Sequence, residues 1–86
     1  MKYKLKNGVS LETIEENHIL VTEDGDTAVL NDLAGEIVCD IMDGSDSNGI
    51  TDHIAGEYAD IDRYVIMSDV EELLSELTSK NFLELC

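Results

Sequence analysis

The hydrophobic pattern of this chain changes period once, near Asn31, and that change constrains the fold more than any other feature. Before it, apolar residues come in short runs parted by turn residues. Leu11 and Thr13 flank Glu12, Ile19-Leu20-Val21 form a second run, and Thr27-Ala28-Val29-Leu30 form a third. Between the last two lies Glu23-Asp24-Gly25-Asp26. Asp-Gly flanked by apolar strands is a strong hairpin signal, expected here as a type I′ turn with positive φ at both central residues. Glu16-Asn17 is a weaker turn between the first two runs. The expectation is a three-stranded antiparallel meander.

After Asn31 the spacing becomes helical. Asn31 or Asp32 can cap a first helix carrying Leu33, Ile37, Val38, Ile41 and Met42, closed by Asp43-Gly44. Asp46 can cap a second, with Ile50, Ile54, Ala55 and Tyr58 on one face, weakened by Gly49 and Gly56 at about 1 kcal/mol each relative to Ala. Residues 60–67 are expected as a connection anchored by Ile61, Val65 and Ile66. Ser68-Asp69-Val70-Glu71 matches a capping box, which predicts a third helix over 68–80 with Val70, Leu73, Leu74 and Leu77 at i, i+3, i+4 and i+7. Phe82, Leu83 and Leu85 form an apolar tail.

Three strands followed by three helices make an α+β domain in which neither half buries its apolar face alone. Eighty-six residues without proline, repeat or low-complexity linker make one domain, 1–86, whose first eight residues are expected to be a flexible N-terminus. No apolar stretch is long enough to span a membrane, and no signal-peptide core follows Lys6. Two isolated cysteines fit neither a disulfide framework nor a redox pair. A cytoplasmic location is expected, with Cys39 as a small core residue and Cys86 as an exposed thiol.

Charge then narrows the partners. Twenty acidic residues stand against five basic ones, for a net charge of -15, and beyond Lys6 the only cations are Arg63 and Lys80. Such a surface repels nucleic acid, which is bound through neutralised phosphates, and anionic membranes. Neutral, cationic or apolar partners are favoured.

Catalysis is poorly supplied. The only histidines are His18 and His53. A Cys39–His53 pair would need both side chains held together, yet Cys39 belongs to an apolar pattern. Asp43 to Gly49 resembles part of a calcium loop, but Ser45 and Ser47 stand where carboxylates are needed, and Ile54 takes the place of the closing glutamate. No glycine-rich phosphate loop is present. The chain is expected to be no enzyme and to carry no cofactor or metal. What remains is binding. An exposed sheet edge accepts an extended peptide as an added strand, and Thr27 to Leu30 has neither the charge nor the proline that usually blunts such an edge. The same run also suits a central strand with both faces in the core. The residues leave both readings open.

The run Thr27-Ala28-Val29-Leu30-Asn31, then Ala34, Ile37 and Asp43-Gly44, resembles the core of the pyrroloquinoline quinone biosynthesis protein D family. Ile50, Ile54-Ala55, Tyr58, Asp69-Val70, Leu73 or Leu74, Leu77 and Phe82-Leu83 continue the pattern, over roughly residues 18 to 85. The resemblance implies a winged helix-turn-helix with a three-stranded sheet. It also implies that the protein is a non-catalytic chaperone. Such a protein binds the leader of a ribosomally made precursor peptide against its third strand and presents it to a modifying enzyme, often a radical S-adenosylmethionine enzyme. Carried onto this chain, the docking strand is Thr27, Ala28, Val29 and Leu30. The expected pockets come from Ala28, Leu30, Val70, Leu74 and Leu77, and the polar rim from Glu72, Glu76 and Lys80. The competing reading is an acidic winged-helix interaction or regulatory domain that does not bind DNA.

Overall fold

The computed structural model describes residues 2–86. Five strands and three helices run in the order β1 (Tyr3–Leu5), β2 (Ser10–Ile14), β3 (Asn17–Val21), β4 (Thr27–Leu30), α1 (Asp32–Met42), α2 (Ser47–Glu57), α3 (Arg63–Ser79) and β5 (Leu83–Leu85). The expected meander is present as an antiparallel sheet of order β2-β3-β4. A second, two-stranded sheet pairs β1 with β5, Tyr3 opposite Leu85 and Leu5 opposite Leu83. Within the N-terminal segment expected to be flexible, Tyr3–Leu5 is therefore a strand. Tyr3 and Leu5 pack against the core, and Lys6 N–H donates to the Phe82 carbonyl (3.1 Å).

The two hairpin turns exchange the roles the sequence suggests. Glu15 and Glu16 both have positive φ (51° and 72°) and link Ile14 to Asn17. This is the two-residue, type I′-like connection. At Asp24-Gly25 only the glycine is left-handed, with φ 90°. Gly25 N–H donates to Thr22 C=O (3.1 Å), and Thr22 N–H to Asp26 C=O (2.9 Å). The result is a three-residue loop, a turn followed by a left-handed residue.

Helix ends follow side-chain chemistry. Asn31 Oδ1 accepts from Ala34 N–H and Asp46 Oδ1 from Gly49 N–H, each at 2.8 Å, which satisfies orphan donors at the starts of α1 and α2. At the end of α1, Gly44 N–H donates to Ile41 C=O and Ser45 N–H to Asp40 C=O. At the end of α3, Asn81 (φ 68°) N–H donates to Thr78 C=O and Phe82 N–H to Leu77 C=O. Both endings are Schellman motifs. Asp43-Gly44 and Asp46 are thus helix-ending and helix-starting residues.

α3 begins earlier than the capping box suggests. Asp62 is its N-cap and accepts from Tyr64 N–H (2.8 Å), and residues 63–67, expected as connection, are its first turns. Ile66 extends the stripe of Val70, Leu74 and Leu77 one turn upstream, and all four are buried. One continuous apolar face outweighs a local Ser-x-x-Glu match.

The core lies between the inner face of the β2–β4 sheet and the helices, with Leu20, Val38, Ile50 and Leu83 fully buried. Cys39 is exposed, because at its position α1 turns from Val38 toward solvent. Met42 is likewise exposed. No helix among the described residues is long and apolar enough to cross a membrane.

Candidate functional site

β4 pairs with β3 on one side only, so the second of the two readings left open by the sequence, a central strand, does not hold. Which backbone groups face the open side follows from the register. Antiparallel pairs alternate between hydrogen-bonded and non-bonded. Thr22 and Asp26 are bonded, by the 2.9 Å contact above. Val21↔Thr27 and Ile19↔Val29 are then non-bonded pairs, and Leu20↔Ala28 and His18↔Leu30 are bonded ones. The N–H and C=O groups of Thr27 and Val29 therefore point to the open edge, free to pair with another chain. Side chains alternate in the same register. Leu30 is buried and Ala28 half-buried on the inner face, whereas Val29 is 72% exposed on the outer one.

The strand runs into a groove between the start of α1 and the exposed flank of α3. A cavity of about 190 Å³ is lined there by Asn31, Leu33, Ala34, Ile37, Asp69, Glu72, Leu73 and Glu76. A second of about 200 Å³ adjoins it, sharing Leu33 and Asp69 and walled by Ile54, Tyr58, Ile61, Val65, Ile66 and Val70. Together they form an apolar trough with carboxylates along one lip.

Glu72 and Glu76 lie on that lip. Leu74 and Leu77 do not line the trough. They are 1% and 3% exposed in the core and leave nothing to offer a ligand. Val70, 1% exposed, reaches only the floor of the second cavity. The helix face chosen for pockets is the face that holds the domain together. Leu73, one residue round the helix and half-buried, and the exposed Val65 are apolar contacts that α3 supplies instead. Lys80 sits away from the trough. It pairs with Glu76 (3.0 Å) and borders a separate polar hollow with Lys6 and Asn81. Asp69, part of the expected cap, lies on the trough flank because α3 starts five residues earlier, at Arg63 rather than Ser68. Leu33 was recognisable only as a helix residue.

The histidines are engaged elsewhere. His53 Nδ1 lies 2.6 Å from Asp40 Oδ2 and its Nε2 3.0 Å from Glu57 Oε1, so both ring nitrogens are taken and neither serves Cys39. The hydrogen bond to Asp40 and then its charge hold the imidazolium above its ordinary range. Loss of water around Glu36, then the adjoining Glu57 carboxylate, push the Glu36 carboxyl up. Among the described residues, no group of three His, Cys, Asp or Glu side chains is placed to hold a metal ion.

The profile of the family described as "Coenzyme PQQ synthesis protein D (PqqD)" matches residues 17–83. Three solved structures share the fold. TbiB1 in complex with the TbiA(beta) leader peptide superposes with a TM-score of 0.86 at 26% identity, over 94% of each chain. A lasso peptide synthetase B1 complexed with its leader peptide gives 0.89 at 21% identity, over 98% of this chain and 99% of that one. The PqqD part of Methylobacterium extorquens PqqCD, described as a functional stand-alone recognition element for ribosomally synthesised and post-translationally modified peptides, gives 0.78 at 28%, over 95% and 87%. No curated protein matches the chain.

Proposed function

We infer the function from one premise: this chain belongs to the coenzyme PQQ synthesis protein D family. It is a non-catalytic recognition element that binds the leader of a ribosomally synthesised precursor peptide and presents it to a modifying enzyme. The family resemblance favours a radical S-adenosylmethionine enzyme as that partner. The leader adds to β4 as a fourth strand, bonded to the outward N–H and C=O groups of Thr27 and Val29. Its inward side chains enter the trough beside Leu33 and Leu73. Asp69, Glu72 and Glu76 favour lysine or arginine in the leader and speed the encounter.

The observation that carries this reading is a β4 edge left open, followed at once by Asn31, which lines an apolar trough. Two relatives above 25% identity, described as a leader complex and as a recognition element, support it. The test is titration of the leader encoded by a neighbouring precursor gene against wild type and Val29→Pro. Proline removes one outward donor and no internal ladder bond. An affinity loss of about five- to tenfold is expected, from one net hydrogen bond of about 1 kcal/mol. Unchanged affinity sinks the strand-addition geometry.

A further inference from the structure

The sheet has a second face. Opposite the helices, Ile14, Ile19, Val21 and Val29 stand among Ser10, Glu12, Asn17 and Thr27, with Glu12, Ile19 and Val29 in one cross-strand row. Ile14 is 54% exposed and Val29 72%, and Ile19 and Val21 are half-buried. A sheet wetted on one side reads as alternating apolar and polar residues, whereas a sheet covered on both reads as continuous apolar runs. β3 carries Ile19-Leu20-Val21 and β4 carries Ala28-Val29-Leu30. Both are runs of the second kind, yet the helices cover only the inner face.

The surroundings of the patch say what covers it. Between Ser10 and Leu30 stand Glu12, Glu15, Glu16, Glu23, Asp24 and Asp26, with no lysine or arginine. Two copies of this face brought together would set those six carboxylates against six more. Like charges facing across an interface cost several kcal/mol, so self-association is disfavoured, and anionic lipid is repelled for the same reason.

We propose that the outer face of β2–β3–β4 docks a separate protein whose contact surface is apolar at its centre and rimmed with lysine and arginine. Given the leader reading above, on which this rests, that protein is the modifying enzyme. A leader strand on β4 extends the same sheet, so an enzyme seated on the outer face lies against the outward side chains of the bound peptide. One sheet then uses its edge for the substrate and its free face for the enzyme.

The experiment measures, by calorimetry, the affinity of the purified modifying enzyme encoded beside this chain, with leader titrations in parallel. The proteins are wild type, Ile14→Thr/Ile19→Thr and Glu12→Lys/Glu16→Lys. Both double variants are expected to weaken enzyme binding about tenfold or more, as loss of a central interface contact does, and to leave leader affinity within about twofold. Should the threonine pair fail to fold, the lysine pair, on exposed positions, decides. Enzyme affinity unchanged in the lysine pair overturns the proposal. A wild-type dimer in sedimentation that Ile14→Thr abolishes also overturns it, in favour of a second copy as occupant. If leader binding is absent in wild type while enzyme binding responds as expected, the leader reading fails and this one stands.

Discussion

The imidazole of His18 lies against Gly35. A Cβ built at Gly35 would stand 2.5 Å from His18 Cδ2, closer than packed carbons approach. Sheet and first helix meet there with no space for a methyl group. Gly35→Ala is therefore expected to destabilise the domain by up to about 2 kcal/mol, because overpacking of about 1–3 kcal/mol is set against the roughly 1 kcal/mol that alanine gains in a helix. In a His18→Ala background the same change should become neutral or stabilising. A double-mutant cycle in urea checks the coupling.

Glu15 and Glu16 occupy left-handed backbone that asparagine and glycine adopt with less strain. Glu15→Asn with Glu16→Gly is expected to stabilise the domain by about 1–2 kcal/mol. Thermal denaturation at constant pH measures it, and a fall in melting temperature would refute the turn assignment.

Proline at adjacent β4 positions should give opposite phenotypes. Val29→Pro removes an edge donor and is expected to spare folding while weakening leader binding. Ala28→Pro removes a donor that faces β3 and is expected to cost about 1–3 kcal/mol of stability, since the partner carbonyl is left unpaired. Denaturation and leader titration on the two variants separate edge from ladder.

Lowering the pH from 8 towards 6 is expected to raise thermal stability. His53 is held above its usual value of about 6.5. Its contribution is complete below that value and is lost as the pH rises through the elevated folded-state value. Glu36, also raised, acts in the same direction. The groups facing His53 are Asp40 and Glu36 from α1 and Glu57 from α2. His53→Gln should flatten the profile over this range. An unchanged slope would place the dependence on other carboxylates.

Charge on the trough lip should act mainly on the rate of encounter. Asp69→Asn, Glu72→Gln and Glu76→Gln together are expected to slow association with a lysine- or arginine-bearing leader several-fold at low salt and much less at high salt. Stopped-flow traces at two ionic strengths test this. A salt-independent association rate in wild type removes the electrostatic selection.

The sequence disclosed those parts of the fold that are written locally. Asn31, Asp46 and Asp43-Gly44 announce helix ends because capping acts over three or four residues, and the β2–β4 runs announce strands by turn chemistry. The β1–β5 ribbon was hidden, since three residues at each end carry no period and their pairing is wholly non-local. The motif residues that resemble the family, among them Ala34, Ile37, Ile54, Val70 and Leu77, are core positions. They specify the scaffold, and four of them, Ala34, Ile37, Ile54 and Val70, also form the floor of the trough. The β4 run was legible as an apolar strand without charge or proline, but its place at the sheet edge was not, because the same run also suits a central strand. The trough wall was not, because moving the start of α3 from Ser68 to Arg63 changes which residues are read as a cap and which as a flank, and Leu73 and Leu74 differ only by one step around the helix.

The ribbon that joins Tyr3 to Leu85 closes the largest loop this chain contains. Loop-closure entropy must be met before so distant a pairing is rewarded, so the ribbon is expected to form after the meander and helices and, with only three residue pairs, to open before they do. Both ends of the chain therefore leave the domain together, side by side. A pull on either end would first unzip three short pairs next to Phe82 and Leu83, leaving β4 and its trough intact until that clasp had given way.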